Sequence, residues 1–314
     1  MGASGLAVAG RDVFPGQGPE LAVQAGLAMK AIAKCGSQEQ KERWLGPMAR
    51  LEKIGAFALT EPEHGSDSVS LETTASPDGE SYVISGHKKW IGNGSIADVV
   101  VVWARDTSDG AVKGFLVEKG TPGYNARVMT GKASLRAVWQ AEIELDSVRV
   151  PAKNRLPGAN SFKDCAEVLT GTRSACAWMA LGHAVSGFDA ALTYAKRRKQ
   201  FGKPLASFQI IQQRLVKMLA DVTAMQLYCV QIAKLEAAGK LAPTLAGLAK
   251  LHNTSKARVV LADARDMLGG NGILLDFHVI RHMADIESIH TFEGTETIQT
   301  LIVGRDITGI GAFS

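Results

Sequence analysis

Apolar and polar positions divide the chain into three zones of different period. Over residues 21–51 the apolar positions recur at helical spacing, and Ser37 with Gln40 three positions later forms a capping box at the start of a second helix. Over residues 54–158 the period becomes strand-like. From Ser161 onward it is helical again, in long stretches. The pattern predicts a helical segment, a β-domain and a larger helical domain.

The middle zone consists of short apolar runs separated by turn clusters, such as the one at residues 76–79. Strands are predicted at residues 54–59, 81–85, 99–104, 114–118 and 141–145. The unbroken apolar run from Val99 to Trp103 is typical of a strand that is buried on both faces.

The last zone reads as a series of helices joined by short loops. Long helices are predicted at residues 162–198, 208–238 and 243–268, and shorter ones at residues 276–285 and 296–308. Gly239 and Gly269 follow two of the long helices, where glycine commonly ends a helix. Short loops between long helices indicate an antiparallel bundle of four or more. The class is therefore α+β, with domains at residues 1–53, 54–158 and 159–314.

The composition is that of an ordinary globular protein. The apolar fraction of 46% and charged fraction of 21% exclude collagen-like repeats and long disorder. A net charge of +4 is too small to indicate nucleic-acid binding, but it suits a protein that meets anionic small molecules. The four cysteines form no CxxC pair, so they indicate neither a zinc site nor a disulfide framework. We expect no metal and a reducing compartment.

The sequence contains no recognisable targeting or membrane segment. No apolar run reaches the ~18 residues that a membrane helix needs, and the N-terminus has no secretory pattern. The expected location is the cytoplasm of a bacterium, or the mitochondrial matrix or peroxisome of a eukaryote. Neither a membrane nor nucleic acid is expected as a partner.

Two segments of the β-zone place polar groups beside forced turns. At residues 60–67, Thr-Glu-Pro-Glu-His-Gly-Ser-Asp ends a strand in a loop that can bind the edge of a heterocycle or a phosphate. Trp90 stands beside Gly92 and Gly94, which suits a wall against a flat cofactor or a core tryptophan at a strand end. On chemistry alone, an ordinary turn and a core side chain explain the two segments better.

Two further segments of the helical zone have a functional and a structural interpretation. The charge run at residues 196–203 is either a solvated helix end or a source of arginine for a pyrophosphate. The glycines of residues 268–272 either end a helix or let the backbone approach a ligand. His278 and His282 have the spacing of metal ligands, but no HExxH surrounds them and no third ligand follows, so no metal site is expected.

The segment at residues 289–298 holds the candidate general base. Glu293 precedes Gly294 and a helix that Thr295 can cap. A carboxylate held in an apolar pocket can accept a proton from substrate. Without other information, a loop glutamate before a helix is more often a surface charge.

Taken together, these segments resemble the acyl-CoA dehydrogenase family. The family's motifs occur in its order: TEPxxGSD at residues 60–67, Trp90-Ile91, RxQFG at 198–202, LGGNG at 268–272 and FEGT at 292–295. The motifs at residues 134–136, 156–158, 264–268 and 304–310 are similar to the glutaryl-CoA dehydrogenase branch and its plant short-chain acyl-CoA oxidase relatives. The resemblance runs from Leu21 to Phe313.

The resemblance implies an N-terminal helical domain, a middle β-domain and a C-terminal four-helix bundle, assembled as a homotetramer with FAD as cofactor. Most of the N-terminal helical domain has no counterpart here, so residues 1–53 are interpreted as its remnant. The implied reaction is α,β-dehydrogenation of an acyl-CoA, in which Glu293 removes the α-proton and flavin N5 accepts the β-hydride. An electron-transfer flavoprotein or O₂ would then reoxidise the flavin.

The resemblance also implies the binding residues. The FAD contacts would be Phe57, Leu59, Thr60, Ser66, Trp90, Ile91, Gly92, Arg198, Phe201, Gln209, Asp266, Met267, Leu268, Gly269, Gly270, Thr295 and Thr297. The acyl-CoA contacts would be Ser66, Thr172, Arg173, Phe292, Gly294 and Phe313. Arg198, Phe201, Gln209 and residues 266–270 would reach the FAD of an adjacent subunit.

Departures from the family pattern leave alternatives open. Gly92 stands where most dehydrogenases have a threonine. The plant oxidases of this branch also have a glycine there, so an acyl-CoA oxidase is the closest alternative. Phe292 and residues 18–19 replace a tyrosine and an Arg-Ser pair that hold the distal carboxylate of glutaryl-CoA, which favours a neutral acyl chain. A third hypothesis is a catalytically impaired flavin- or acyl-CoA-binding subunit that lacks the N-terminal domain.

Overall fold

The computed structural model describes residues 22–312, which form two compact units. The β-unit comprises the described residues up to Lys132 together with Arg136–Thr172. The helical unit comprises Ala133–Leu135 and the residues from Arg173 onward. Within the helical unit, the short segment Ala133–Leu135 is held on a later helix, because the Leu135 amide donates to Asp285 at 2.6 Å.

The β-unit begins with helical chain. A π-helical segment, Ala22–Met29, runs into α1 (Lys30–Cys35), and α2 follows at Gln38–Ala49. The predicted capping box is confirmed: the Gln40 amide donates to Ser37 Oγ at 3.2 Å, and the Ser37 amide donates to Gln40 Oε1 at 2.8 Å. The two reciprocal bonds satisfy backbone donors that a helix start otherwise leaves open.

Seven strands form the sheet of this unit: β1 (Gly55–Ala58), β2 (Thr74–Asp78), β3 (Ser81–Gly92), β4 (Val99–Asp106), β5 (Val112–Glu118), β6 (Tyr124–Val128) and β7 (Gln140–Pro151). The order is β1-β4-β2-β3-β7-β6, and β5 pairs with β4. β1 and β2 run parallel to β4, and the other pairs are antiparallel.

The double burial predicted for β4 is confirmed. Val99, Val101 and Trp103 face a core that they share with the N-terminal helices. Val100, Val102 and Ala104 alternate with them and face a second core inside the sheet. Because both faces of the strand are covered, its sequence shows no polar alternation.

All five predicted strands are present, and the structure adds β2 and β6. The predicted turn at residues 76–79 begins too early, because β2 continues to Asp78, which pairs with Ser81. Pro77 is compatible with this strand because β2 pairs with β4 only at Thr74 and Ala75, which leaves the side of Pro77 open. β6 is short and mostly exposed, so it lacks the apolar alternation that predicts a strand.

The described part of the helical unit contains most of α3 (Phe162–Arg197), a two-stranded hairpin of β8 (Lys199–Gln200) and β9 (Lys203–Pro204), and four further α-helices. These are α4 (Gln209–Ala237), α5 (Pro243–Met267), α6 (Val279–Thr291) and α7 (Glu296–Thr308). α5 packs on α4, α6 and α7. The helix predicted at residues 276–285 starts later than predicted, because His278 has a left-handed φ of 60° and α6 begins after it. It also continues beyond the predicted end, to Thr291.

By length and composition alone, α4 could cross a membrane. In the structure its inner face packs in the bundle core through Met218, Val222 and Met225. Amphipathic burial of this kind is typical of a bundle helix in a globular protein.

Candidate active site

In the β-unit, the loop that leaves β1 is bound to β3 by backbone and side-chain hydrogen bonds. The Lys88 ammonium donates to the carbonyl of Leu59 at 3.0 Å, and the Lys89 amide donates to the carbonyl of Thr60 at 2.9 Å. The loop therefore has a defined conformation where the chain leaves the sheet.

A buried ion pair completes this attachment. Lys88 Nζ lies 2.8 Å from Glu61 Oε1, and both side chains are buried. Glu61 also accepts hydrogen bonds from the amides of Glu72 and Thr73, at 2.6 and 2.9 Å, and from the Thr73 hydroxyl. Burial opposes ionisation of this carboxylate, but the ammonium and the hydrogen bonds outweigh it and lower the pKa of Glu61 to about 2. Burial lowers the pKa of Lys88, partly offset by Glu61.

Trp90 occupies a strained position immediately after this pair. Its φ is 64°, in a left-handed conformation that is rare for aromatic residues, and the pairing of β3 with β7 is irregular between Lys88 and Ile91. The bulge turns the indole outward, so that 51% of Trp90 is exposed while Ile91 is buried. Strain that presents a large aromatic surface is characteristic of binding sites.

Gly92 has a packing reason that the sequence did not reveal. A Cβ at this position would lie 2.9 Å from Cγ2 of Val23, so threonine would displace the valine side chain. Glycine at position 92 therefore fits the valine that the N-terminal helical segment places beside it.

The other predicted ligand contacts of the β-unit differ in accessibility. Phe57 and Leu59 are buried, and Phe57 packs on Trp103 with ring centroids 5.9 Å apart. Thr60 is half-buried and Ser66 is exposed. Thr172 is buried and its hydroxyl donates to Leu169 O at 2.7 Å. Within the β-unit, the side chains of Thr60, Ser66 and Trp90 are those best placed to meet a ligand.

In the helical unit, Glu293 lies in the tight loop between α6 and α7. Glu293 has φ 58° and Gly294 has φ 87°, so two successive residues adopt left-handed conformations. Thr295 caps α7 as predicted, because its hydroxyl accepts a hydrogen bond from the Ile298 amide at 3.3 Å. Left-handed backbone at a glutamate is strained and persists only where the surroundings hold it.

Two buried side chains hold this loop. Lys250, on α5, is 1% exposed and donates to the carbonyl of His290 at 3.0 Å and to the carbonyl of Gly294. Gln299, on α7, is fully buried and donates to the carbonyl of Glu293 at 2.9 Å. Consequently the carbonyls of His290, Glu293 and Gly294 each accept a hydrogen bond from a buried side chain.

Electrostatic interactions link Glu293 to Arg173, Cys176 and Lys250. Burial lowers the pKa of Arg173 and of Lys250, and Glu293 acts in the opposite direction on both. Burial raises the pKa of the Cys176 thiol, and Glu293 raises it further. Nε of Arg173 is buried and has no hydrogen-bond partner among residues 22–312. A buried donor of this kind is available to a ligand.

The loop also borders a cavity of about 430 Å³ that contains both predicted threonines. Its lining comprises His290, Thr291, Thr295, Glu296, Thr297, Thr300 and Leu301. The structure therefore places Thr295 and Thr297 in one recess. Phe292 is half-buried and packs on the bundle core.

Most residues that the sequence assigned to the flavin of an adjacent subunit are exposed in the helical unit. These are Arg198, Phe201, Gln209, Asp266, Gly269 and Gly270. Phe201 is 92% exposed with φ 53°, and Cβ atoms at Gly269 and Gly270 would meet no other described residue within 4 Å. Met267 and Leu268 are buried in the bundle core, so only their backbone can contact a ligand. Asp266 carries an ion pair with Arg214 at 2.7 Å.

The two histidines with metal-ligand spacing lie in different surroundings. His282 is buried and its Nδ1 lies 2.7 Å from Nδ1 of His183 on α3, while His278 precedes α6. Burial lowers the pKa of His183 to about 4 and that of His282 to about 2. Over residues 22–312, no group of three or more His, Cys, Asp or Glu side chains could hold a metal ion.

Two sequence-based assignments, Phe313 and residues 18–19, lie outside the described residues. Conversely, the sequence interpretation missed Lys88, Lys250 and Gln299. For Lys250 a signal existed, because it occupies the buried face of α5 with Ala246, Asn253 and Ala257. A lysine within an apolar helical stripe requires a buried acceptor.

Comparison with known proteins gives consistent similarities. Family models described as the acyl-CoA dehydrogenase N-terminal, middle and C-terminal domains match residues 11–52, 56–148 and 162–308. The short-chain-specific acyl-CoA dehydrogenase of Clostridium acetobutylicum is 34% identical over 291 residues, which cover 91% of this chain and 77% of that protein.

Solved structures show the same similarity. The crystal structure of a glutaryl-CoA dehydrogenase from Mycobacterium smegmatis has a TM-score of 0.96 and 41% identity, covering 100% of this chain and 81% of that one. A structure of a glutaryl-CoA dehydrogenase from Mycobacterium smegmatis in complex with FADH₂ has a TM-score of 0.95 and 35% identity, covering 99% and 79% of the two chains.

Proposed function

Because the chain belongs to the acyl-CoA dehydrogenase family, we propose that it catalyses α,β-dehydrogenation of an acyl-CoA thioester with Glu293 as the base. It has the fold of the family, with N-terminal helices, a middle β-sheet domain and a C-terminal helical domain, as the sequence predicted. The enzyme class is an oxidoreductase that acts on CH–CH bonds. The observation that carries the proposed mechanism is the strained, internally bonded loop that presents Glu293.

The cofactor of this chemistry is FAD, and the residues present suit it. In the β-unit, the exposed indole of Trp90 and the loop at Thr60 offer an aromatic surface and hydrogen-bonding groups. In the helical unit, Arg198 offers a guanidinium to a pyrophosphate, and the open backbone at Gly269 and Gly270 permits close approach. When bound, FAD supplies the acceptor of the hydride that leaves the β-carbon.

In the proposed step, Glu293 takes the proton from the α-carbon while the β-hydride leaves, so that an α,β double bond forms. The carboxylate must be ionised and correctly placed, and the cations Arg173 and Lys250 favour its charged form. Nε of Arg173, which no described residue binds, is a donor that an acyl-CoA group can meet. Thr172, Phe292 and Gly294 remain proposed substrate contacts.

We propose a neutral acyl chain rather than glutaryl. Phe292 carries no hydroxyl with which to bind a distal carboxylate, and it packs on the bundle core. Rates of flavin bleaching by butyryl-CoA and glutaryl-CoA decide this, and faster bleaching by glutaryl-CoA would overturn the preference.

A homotetramer is proposed as the assembly, because apolar side chains of the helical unit point outward. The exposed side chains include Phe201, Ile210, Val216, Leu219 and Leu227. Large apolar side chains that remain exposed are a common mark of an interface between chains. Light scattering of the purified protein should give four times the chain mass, and a monomer would contradict the proposal.

The function is tested by anaerobic addition of butyryl-CoA to the protein with FAD bound. We expect loss of the visible flavin absorbance, followed by reoxidation that is fast with an electron-transfer flavoprotein and slow with air. Fast reoxidation by air with peroxide release would identify an oxidase. Bound FAD that no acyl-CoA bleaches would identify a catalytically impaired binding subunit.

A further inference from the structure

We propose that Lys250 is the positioning residue of the general base: its buried ammonium binds the carbonyls of His290 and Gly294 and so fixes the loop that carries Glu293. The inference rests on the proposed function, because it assigns a role with respect to the same glutamate. It concerns the helical unit alone.

The geometry gives the ammonium a position that bridges two elements. His290 is in the last turn of α6, whereas Gly294 lies in the loop beyond it. One Nζ atom therefore joins the end of a helix to the residue directly after Glu293. Because the two carbonyls flank the glutamate in sequence, the clamp limits the backbone rotations that would move its carboxylate.

The loop needs such a clamp because its backbone is strained. Glu293 adopts the left-handed region, which is unfavourable for a non-glycine residue relative to a right-handed conformation. Gln299 provides a second bond, to the Glu293 carbonyl, and Gly247 leaves room for it, since a Cβ there would lie 2.5 Å from Gln299 Oε1. Lys250 and Gln299 thus bind consecutive parts of one loop from two helices.

Burial of a lysine in this place has a free-energy cost that a role in packing does not explain. Lys250 is 1% exposed and lies among Ala246, Ala249 and Asn253, where an apolar residue would be expected. Its cation interacts favourably with the C-terminal end of α6, whose last carbonyls carry partial negative charge. That interaction alone would need only the His290 carbonyl. The second bond, to Gly294, is the one that reaches the catalytic loop.

Charge gives Lys250 a second effect on the same glutamate. The charged and titratable groups around Lys250 are Arg173, Cys176, Glu293, Glu296 and the imidazole of His290, together with the helix end at the His290 carbonyl. Glu293 and Lys250 favour each other's charged forms. Loss of the ammonium should therefore change both the placement of the carboxylate and the pH at which it accepts a proton.

The test compares Lys250→Met with Lys256→Met in the FAD-loaded protein. Lys256 lies on the same helix and pairs with Asp221 at 3.0 Å, outside the proposed site. For Lys250→Met we expect FAD and butyryl-CoA binding to be retained, while the rate constant of anaerobic bleaching falls on the order of 10²-fold. The acidic limb of its pH–rate profile should move upward by about one unit. Lys256→Met should match the unmodified protein.

A second readout does not depend on catalysis. Amide hydrogen exchange over residues 292–298 should be faster in Lys250→Met than in Lys256→Met, because Phe292 and Ile298 amides are bonded within the clamped segment. Lys250→Gln, which keeps a donor without the charge, serves if the methionine variant does not fold. It should slow bleaching and shift the pH profile while changing exchange less.

The outcomes separate the two proposals. Equal bleaching rates, pH profiles and exchange in the Lys250 and Lys256 variants would overturn the clamp. If the unmodified protein binds FAD but is not bleached by an acyl-CoA, the proposed function fails, and the exchange measurement still decides whether Lys250 holds the loop.

Discussion

Replacement of Lys88 by methionine removes the ammonium that pairs with Glu61 below the loop at the end of β1. Methionine fills a similar volume, so the change isolates the charge and its hydrogen bonds to Glu61 and to the Leu59 carbonyl. The carboxylate of Glu61 would remain buried with only its bonds from residues 72 and 73. The perturbation therefore leaves an unpaired charge in the β-unit.

The expected loss of stability follows from that geometry. Breaking a buried ion pair by removal of one partner costs about 3–5 kcal/mol. Three surviving hydrogen bonds to Glu61 place this case at the lower end, about 3 kcal/mol. The double variant Lys88→Met with Glu61→Gln removes the stranded charge and should recover more than half of the loss. The neighbouring pair Lys89–Glu142 is partly exposed, so Lys89→Met should cost much less stability than Lys88→Met.

Urea unfolding followed by tryptophan fluorescence measures these differences, because Trp103 lies in the core on which β1 packs. The exposed indole of Trp90 should also change its environment when the loop loosens. A Lys88→Met variant as stable as Lys89→Met would refute the reasoning. So would a double variant that is less stable than the single one.

Three other predictions concern the loop and the buried titratable groups. Gly294→Ala should slow bleaching by tenfold or more in stopped-flow measurements, since the added Cβ would overlap Gln299 Nε2 at a φ of 87°. The pKa of Glu61 is about 2 in the folded state against 4.5 otherwise. Because the unfolded state then binds the proton more tightly, stability falls as pH drops from 4.5 to 2, and Glu61→Gln should flatten that part of a thermal-melting profile. His183 and His282 have pKa values lowered from 6.5 to about 4 and 2, so the unfolded state binds protons more tightly than the folded state. Stability in the same melting profile should therefore begin to fall as the pH drops below about 6.5, before the range in which Glu61 acts.

Local patterns in the sequence predicted the elements well. The capping box at Ser37, the doubly buried β4 and the cap at Thr295 are local signals, and all are confirmed. The strand β2 was missed because proline in a polar cluster is typical of a turn. The sequence does not show that β2 has no strand paired beside Pro77 on its β4 side. The helix at residues 276–285 was misplaced because the left-handed residue His278 has no signature in the hydrophobic pattern.

Long-range pairing could not be obtained from the sequence. Glu61 and Lys88 are 27 positions apart and Lys250 and Gly294 are 44 apart, and no local period connects them. The candidate residues were named from family motifs, which identify Glu293 but not the side chains that hold it. The structure adds the hydrogen bonds that hold each loop. Lys88 binds the Leu59 carbonyl next to Thr60, and Lys250 and Gln299 bind backbone carbonyls of the segment that carries Glu293.

The central claim is that Glu293 is the base that removes the α-proton of an acyl-CoA. The most direct measurement is anaerobic bleaching by butyryl-CoA of Glu293→Gln against Glu287→Gln, both loaded with FAD. Glu287 lies on α6 in a surface pair with Arg258 and serves as the control. Glu293→Gln should retain FAD and bind the substrate without bleaching, while Glu287→Gln bleaches at the unmodified rate. Bleaching of Glu293→Gln at a rate close to that of Glu287→Gln would contradict the assignment.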